Sequence, residues 1–271
     1  MRPRADVFLR CAKCRKPIYV KEFERNLRVC PRCGHHHRLP ADERIAVTFD
    51  EGSFQELDAN LASANPLAFP EYAEKLERGF AATGRHDPIV RGVATLGGMR
   101  VSAAVSDFAF MGGSMGSVAG EKITRTLELA LDERIPAVVF TATGGARMQE
   151  GLLSLMQMAK TVGACRRLSD AGVPFVCVFT DPTMAGVLAS YASLADIIVA
   201  EPGALVGFAG PRVSAQAQVA RVPENFQTSE FNLEHGMIDM IVPRSEMRGT
   251  LVRVLGHLTQ RGGTEVGAVM A

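Results

Sequence analysis

Residues 135–151, IPAVVFTATGGARMQEG, join a strand pattern to a helix pattern through a pair of glycines. Ile135 and the apolar run 137–140 predict a short buried strand. A helical pattern opens near Arg147, with Met148, Leu152, Leu155, Met156, Ala159 and Val162 at three- and four-residue spacing. That spacing predicts a long helix that buries one face, its Met-rich stretch serving as core or as a partner-facing surface. A strand–Gly–Gly–helix turn directs unpaired backbone N–H groups, and the positive end of the helix dipole, at whatever lies above it. Such a turn suits a developing oxyanion, which makes the amides of Gly144 and Gly145 candidate donors; a plain tight turn is the alternative. The same logic recurs at residues 174–179, PFVCVF, which lead through 180–186, TDPTMAG, into a small-residue helical stretch. Two strand–turn–helix units in tandem point to an α/β architecture.

The chain has 271 residues, room for one large domain and a small module. Its longest apolar run, 184–195, is too short to span a bilayer, and residues 1–20 lack the apolar core of a secretory signal. The expectation is therefore a cytoplasmic protein that does not enter a membrane. Charge is unevenly placed: residues 1–40 hold eleven Lys/Arg against three Asp/Glu, and the rest nineteen against twenty-six. A basic head on an acidic body suits an anionic contact or docking, weak nucleic-acid binding included, although a solvated basic surface has the same composition.

Cys11-Ala-Lys-Cys14 and Cys30-Pro-Arg-Cys33 form two C-x2-C knuckles separated by fifteen residues. Two such knuckles close a tetrahedral zinc site, and four thiolates leave no open position, so one structural Zn2+ is expected on Cys11, Cys14, Cys30 and Cys33. The three histidines that follow, 35–37, read as solvated or phosphate-contacting. Cys165 and Cys177 sit in apolar patterns and read as core.

The expected organisation is an N-terminal arm and zinc ribbon over 1–39, a helical linker region over 40–88 and the main domain over 89–271. Gly97-Gly98-Met99 between two apolar runs predicts a hairpin. Residues 108–116, FAFMGGSMG, form a glycine-rich loop before a helix over about 117–132; they lack the Gly-Lys-Ser/Thr ending of a P-loop. Ser114 and Ser117 read as helix caps. Arg147 could hold an anionic ligand or form an internal ion pair. Glu150 could act as a base, although a carboxylate favoured by a helix dipole is the plainer reading. Helices are also expected over about 210–220 and 244–260.

The zinc knuckles, FAFMGGSMGSVAGEK (108–122), TGGARMQEGLLSLMQMAKT (143–161), TDPTMAGVLAS (180–190), GFAGPRV (207–213) and SEFNLEHGMIDMIV (229–242) together resemble the carboxyltransferase β subunits of bacterial and plastid acetyl-CoA carboxylase. The resemblance implies a crotonase-like fold of repeated ββα units behind an N-terminal four-cysteine zinc ribbon. It implies transfer of a carboxyl group from carboxybiotin, carried on biotin carboxyl carrier protein and loaded by biotin carboxylase, to acetyl-CoA, giving malonyl-CoA for fatty-acid synthesis. An α subunit in an α2β2 assembly is implied as partner. By the same resemblance, the turn Met184-Ala185-Gly186 supplies the thioester oxyanion hole through backbone amides, and biotin's ureido nitrogen takes the proton. Met184, Gly112, Gly113 and Arg147 are candidate substrate contacts, although the loop holding the two glycines reads most plainly as packing on neighbouring turns. The family usually carries Gly-Gly where this chain has Ala185-Gly186, and the added methyl is costly if φ is positive there. Two other functions fit parts of the sequence. A stand-alone acyl-CoA hydratase or decarboxylase would need a side-chain acid/base pair. A ribbon-based nucleic-acid-binding regulator would need phosphate contacts from residues such as Lys13, Arg15, Lys16 and Arg32.

Overall fold

The computed structural model describes residues 7–209, 223 and 225–259. The helix expected over 210–220, the extreme N-terminal arm and the glycine-rich tail lie outside these residues.

The N-terminal ribbon pairs β1 (Phe8–Arg10) with β2 (Pro17–Tyr19) antiparallel, and α1 (Val20–Arg25) follows. Residues 27–29 contribute an isolated bridge between Val29 and His36.

The larger unit is an eight-stranded sheet in the order β10-β8-β7-β6-β5-β4-β3, with β9 paired to β7. Its strands are β3 (Gln55–Leu57), β4 (Ile89–Leu96), β5 (Met99–Ser106), β6 (Ala137–Thr143), β7 (Phe175–Met184), β8 (Ile197–Ala200), β9 (Val206–Gly207) and β10 (Met240–Ile241). β4 and β5 form the predicted hairpin, with the amides of Gly97 and Gly98 each donating 2.9 Å bonds to the Asp50 carboxylate. From β5 through β6, β7 and β8 to β10 the pairing is parallel. Parallel strands are covered on both faces, and the sequence has the alternation for it. Val139, Cys177 and Phe179 face the layer of α4 (Ser117–Glu133) and α5 (Leu152–Asp170), whereas Val138, Phe140, Val176 and Val178 face α2 (Ala41–Thr48) and α8 (Arg244–Leu258). The remaining α-helices among the described residues are α3 (Tyr72–Thr83), α6 (Ala185–Leu188) and α7 (Ser229–Glu234). Cys165 and Cys177 are buried in the first layer, as expected.

The stretch 40–88 contributes more than a connection. β3 extends the sheet beyond β4, α2 packs in the core with Phe49, and α3 lies over the loop after β5.

Residues 148–162 differ most from their sequence reading. Met148 and residues 149–150 form a short 3-10 turn, and α5 starts at Leu152. Against α4 that helix buries Ser154, Gln157 and Thr161, while Met148 is 82% and Leu152 69% exposed, with Leu155 and Met156 also exposed. Periodicity identified the helix and its apolar face; of the two readings of that face, core and partner-facing surface, its exposure removes the first. Gly120 of α4 explains why: a Cβ there would overlap the Gln157 side chain, so the two helices meet over small and hydrogen-bonded groups. Thr161 Oγ1 donates back to the Gln157 carbonyl at 2.9 Å, which satisfies its hydroxyl inside the interface.

The ribbon is fixed to the larger unit by a buried ion cluster. Arg244, the first residue of α8, makes two bonds to Glu201 at 2.7 and 2.8 Å, and Arg44 of α2 reaches the same carboxylate at 2.7 Å. Arg244 also donates to the carbonyls of Leu27 at 2.6 Å and His37 at 2.9 Å. His36 is buried between the two units, its Nε2 accepting the Arg244 N–H at 3.2 Å, so it is a strut rather than a solvated residue. Burial alone would raise the Glu201 carboxyl, but the charge of Arg44 and the bonds and charge of Arg244 outweigh it and hold it at about 2.

Candidate functional site

Because β5, β6 and β7 are parallel neighbours, the segments that follow them emerge along one edge of the sheet. Ligands of open α/β sheets bind at the carboxyl ends of the strands. The middle segment, 144–147, is flanked by the glycine-rich loop on one side and the start of α6 on the other. Gly144 N–H donates to Gly112 O at 2.9 Å, Met115 N–H to Gly145 O at 2.8 Å and Arg147 N–H to Met115 O at 2.9 Å. On the other flank, a Cβ built on Gly145 would lie 2.7 Å from the Ala185 Cβ, and one on Gly186 3.9 Å from the Ala146 Cβ. The two small-residue turns read from the sequence therefore touch.

Their amides are not equivalent. Gly144 N–H is bound to Gly112 O, and Gly145 N–H donates to its neighbour Thr143 Oγ1 at 2.9 Å. Both are committed within the protein, which corrects the expectation that they serve as donors to a ligand. The Thr143 hydroxyl makes a local turn that competes for the amide. Ala185 and Gly186 instead open the four-residue α6, where first-turn amides have no acceptor within the helix. Ala185 is half-buried and has φ +52°, so the methyl at this position sits in the left-handed region. Met184 is buried, paired to Gly207 as the last residue of β7.

Gly113 is buried with φ +64°, and a Cβ there would overlap the Ala142 carbonyl. It lets the loop pack on β6. Gly112 is half-buried and its carbonyl is the acceptor for Gly144, so both glycines shape the site from behind.

Arg147 is fully buried, which removes it as a contact for a ligand phosphate. Its guanidinium donates to Ser114 O at 2.7 Å, Ser114 Oγ at 3.2 Å and the Tyr72 hydroxyl at 3.2 Å, and lies 3.6 Å from both Asp87 and Glu150. Burial pushes the Asp87 carboxyl up to about 6. Glu150 is also buried; burial opposes its charge, but bonds from Tyr72 and Ser117 outweigh that and hold its carboxyl below the ordinary value. Its Oε2 accepts the Ser117 N–H at 2.6 Å, so it caps α4 rather than its own helix, and Ser117 is the capped residue rather than the cap. A carboxylate engaged in this way is not placed to act as a base.

An open cleft of about 390 Å3 adjoins the turns, lined by Lys75, Arg78 and Gly79 of α3, Met111, Ser114, Ala146, Met148 and Gln149. Lys75 and Arg78 carry the cationic groups at its wall. Sequence reasoning missed both; their helix was legible, but not the loop it would cover.

In the ribbon, the four cysteine sulfurs lie within 4.8 Å of one another, with Cys11–Cys33 at 3.7 Å and Cys14–Cys30 at 3.9 Å. Zn–S bonds of about 2.3 Å in tetrahedral geometry put sulfurs roughly 3.8 Å apart. The cluster fits one zinc ion, and all four sulfurs are thiols rather than disulfides.

Fold and site together define a crotonase-like α/β carboxyltransferase-type domain behind a four-cysteine ribbon. The family model described as carboxyl transferase domain matches residues 35–229, and that described as acetyl-CoA carboxylase zinc finger domain matches 8–33. Acetyl-coenzyme A carboxylase carboxyl transferase subunit beta of Desulforamulus reducens is 51% identical over 249 residues, covering 92% of this chain and 86% of that protein. The protein of the same name from Rubrobacter xylanophilus is 51% identical over 254 residues, covering 94% and 99%. Among solved structures, transcarboxylase 12S with methylmalonyl-coenzyme A and methylmalonic acid bound superposes with a TM-score of 0.71 at 25% identity, covering 88% of this chain and 43% of that one. The chain belongs to the family of acetyl-coenzyme A carboxylase carboxyl transferase β subunits.

Proposed function

We propose that this chain is the β subunit of an acetyl-CoA carboxylase carboxyltransferase, moving a carboxyl group from carboxybiotin to acetyl-CoA to give malonyl-CoA. The observation that carries the reading is the contact of Gly145 with Ala185, which brings the start of α6 to the strand edge beside the cleft. Deprotonating the carbon next to a thioester carbonyl puts negative charge on the carbonyl oxygen. Backbone amides of Ala185 and Gly186, already fixed in a helix start, can accept that charge without reorganising; one such donor contributes about 10²–10³ in rate. Carboxybiotin, when bound, supplies the carboxyl group and the proton acceptor. The chain's own task is then to hold the acyl group against the turn and to keep charged side chains away from it, which fits the commitment of Arg147 and Glu150 to each other and to Tyr72. Lys75 and Arg78 are suited to the phosphates of the CoA moiety at the cleft wall.

The partner in this reading is an α subunit in an α2β2 assembly, with carboxybiotin delivered on its carrier protein. Met148, which lines the cleft, and Leu152, Leu155 and Met156 on α5 are exposed apolar residues that give such a subunit a surface to cover. Four reduced thiolates holding zinc are consistent with work in the cytoplasm. The test is co-expression with the α subunit and assay of malonyl-CoA formation from acetyl-CoA and carboxybiotin. Activity only in the complex is expected; turnover of an acyl-CoA by this chain alone, without biotin, would overturn the assignment.

A further inference from the structure

Beneath the cleft, three segments meet on one buried carboxylate. Glu150 Oε1 accepts the Tyr72 hydroxyl at 2.6 Å and the Ser63 hydroxyl at 3.0 Å, and its Oε2 holds the amide of Ser117 at the start of α4. The Tyr72 oxygen also accepts from Arg147 Nη1 at 3.2 Å, and the same guanidinium holds Ser114 in the glycine-rich loop. One hydroxyl thus bridges the acid and the base of the cluster. Tyr72 is the first residue of α3 and fully buried, and α3 begins without a side-chain cap after Glu71 at φ +58°. The start of this helix is therefore fixed by Tyr72 rather than by capping. Three and six residues on, Lys75 and Arg78 line the cleft, and Gly79 rests against the Phe110 ring, to which a Cβ would come within 2.8 Å.

We infer that Tyr72 is a positioning residue for substrate binding. Through Glu150 and Arg147 its hydroxyl sets the register of α3, and with it the two cations that meet the CoA phosphates. The inference rests on the reading of the cleft given above. It explains why a phenol, rather than another ring of the same volume, stands at the head of this helix: packing alone seats the ring, whereas the hydroxyl ties it to Arg147 and Glu150, just beyond the Gly144-Gly145 turn.

The test is steady-state kinetics of the assembled enzyme with acetyl-CoA as the varied substrate. Tyr72→Phe is expected to raise KM about five- to tenfold, the net effect of one lost intramolecular hydrogen bond, with kcat within about twofold. Lys75→Ala combined with Arg78→Ala is expected to raise KM as well. Adding Tyr72→Phe to that pair should then change little, because Tyr72 acts through the two cations. A Tyr72→Phe effect that multiplies with theirs, or no KM effect at all, would overturn the inference while leaving the cleft assignment standing. If the Lys75/Arg78 variant keeps its KM, the cleft assignment fails and takes the inference with it. Should Tyr72→Phe not assemble, Glu150→Gln, which weakens the acceptor of the Tyr72 hydroxyl at constant volume, carries the same expectation.

Discussion

The contact between the two turns can be perturbed from either side. Gly145 has φ +119°, and a Cβ on it would lie 2.7 Å from that of Ala185, itself at φ +52°. Carbon atoms in contact sit about 3.5–4.0 Å apart, so Gly145→Ala must separate the turns by roughly 1 Å. It pays for this twice: about 1–3 kcal/mol of backbone strain at positive φ, and about 1–3 kcal/mol of overpacking. Ala185→Gly removes the opposing methyl. By itself it relieves about 1–2 kcal/mol of left-handed strain and loses about 0.4–1 kcal/mol through a freer unfolded chain, so its stability should change little or rise slightly. In the double variant the overpacking share returns while the strain at Gly145 does not. The expected coupling is therefore about 1–3 kcal/mol, with the double variant more stable than Gly145→Ala alone. Denaturant unfolding of the four proteins measures it, and turnover of the assembled enzyme follows in parallel. A 1 Å displacement of the turn should cost about 10²-fold in kcat for Gly145→Ala, with partial recovery in the double variant. Additivity within about 0.5 kcal/mol would mean that the turns do not touch, and the assignment of the oxyanion turn would lose its flank.

Three further outcomes are expected. Chelating the metal, or Cys33→Ser, should unfold the ribbon, whose zinc contributes about 10–16 kcal/mol in comparable peptides; proteolysis should then cut within residues 8–38, and an uncut metal-free protein would show that the ribbon holds itself. Glu201→Gln should destabilise the chain by about 3–5 kcal/mol at neutral pH, because Arg44 and Arg244 stay buried without their anion. Since the folded carboxyl lies at about 2, below the ordinary 4.5, this stability is present above pH 4.5 and is lost as pH falls towards 2; parallel acid-unfolding curves for the variant and the parent would refute the assignment. Leu152→Ser with Leu155→Ser should leave stability within about 0.5 kcal/mol per site yet abolish co-purification with the α subunit, and retained association would move the interface elsewhere.

How far the sequence carried depends on what kind of signal each feature leaves. Strands β6 and β7 were legible because both faces of a parallel sheet must be apolar, β4 and β5 because a Gly-Gly turn joins two apolar runs, and the spacing of the four ribbon cysteines is specific because tetrahedral sulfur geometry is. Whether the α5 face was core or partner-facing stayed open because periodicity reports which residues share a side, not what that side meets. Met148, Leu152, Leu155 and Met156 do share one, and it faces outward. The roles of Gly144 and Gly145 were misread for a similar reason. A strand–Gly–Gly turn implies free amides, but whether they stay free depends on Gly112 and on the Thr143 hydroxyl, contacts that spacing does not encode. Arg147 and Glu150 could each have gone to ligand or protein, and only the burial of both settles that they pair. Tyr72 gave no signal, because a lone tyrosine at a helix start is indistinguishable from core.

Ala185 raises the question of how a methyl comes to occupy a left-handed position beside the proposed oxyanion turn. Strain of this kind persists where the surroundings over-determine the backbone. On the N-terminal side, Thr183 is held at three points: its N–H donates to Leu205 O at 2.8 Å, its hydroxyl to Thr180 O at 3.0 Å, and that hydroxyl lies 2.8 Å from the hydroxyl of Thr141. β9 pairs with both Thr183 and Met184. On the C-terminal side, the Ala189 N–H returns to Ala185 O at 2.9 Å and closes the helical turn. With the chain fixed on both sides, φ at 185 is set by the scaffold and not by the residue. A glycine there would adopt the same angle, and the alanine bears the strain without moving the amide. The substitution therefore acts on the space above the turn rather than on the donor itself. It should alter which acyl groups or inhibitors fit before it alters the rate with acetyl-CoA, so Ala185→Gly should keep kcat for acetyl-CoA while relaxing discrimination against a bulkier acyl chain such as propionyl-CoA. A rate with acetyl-CoA that rises tenfold or more on removing the methyl would mean instead that the alanine displaces the donor.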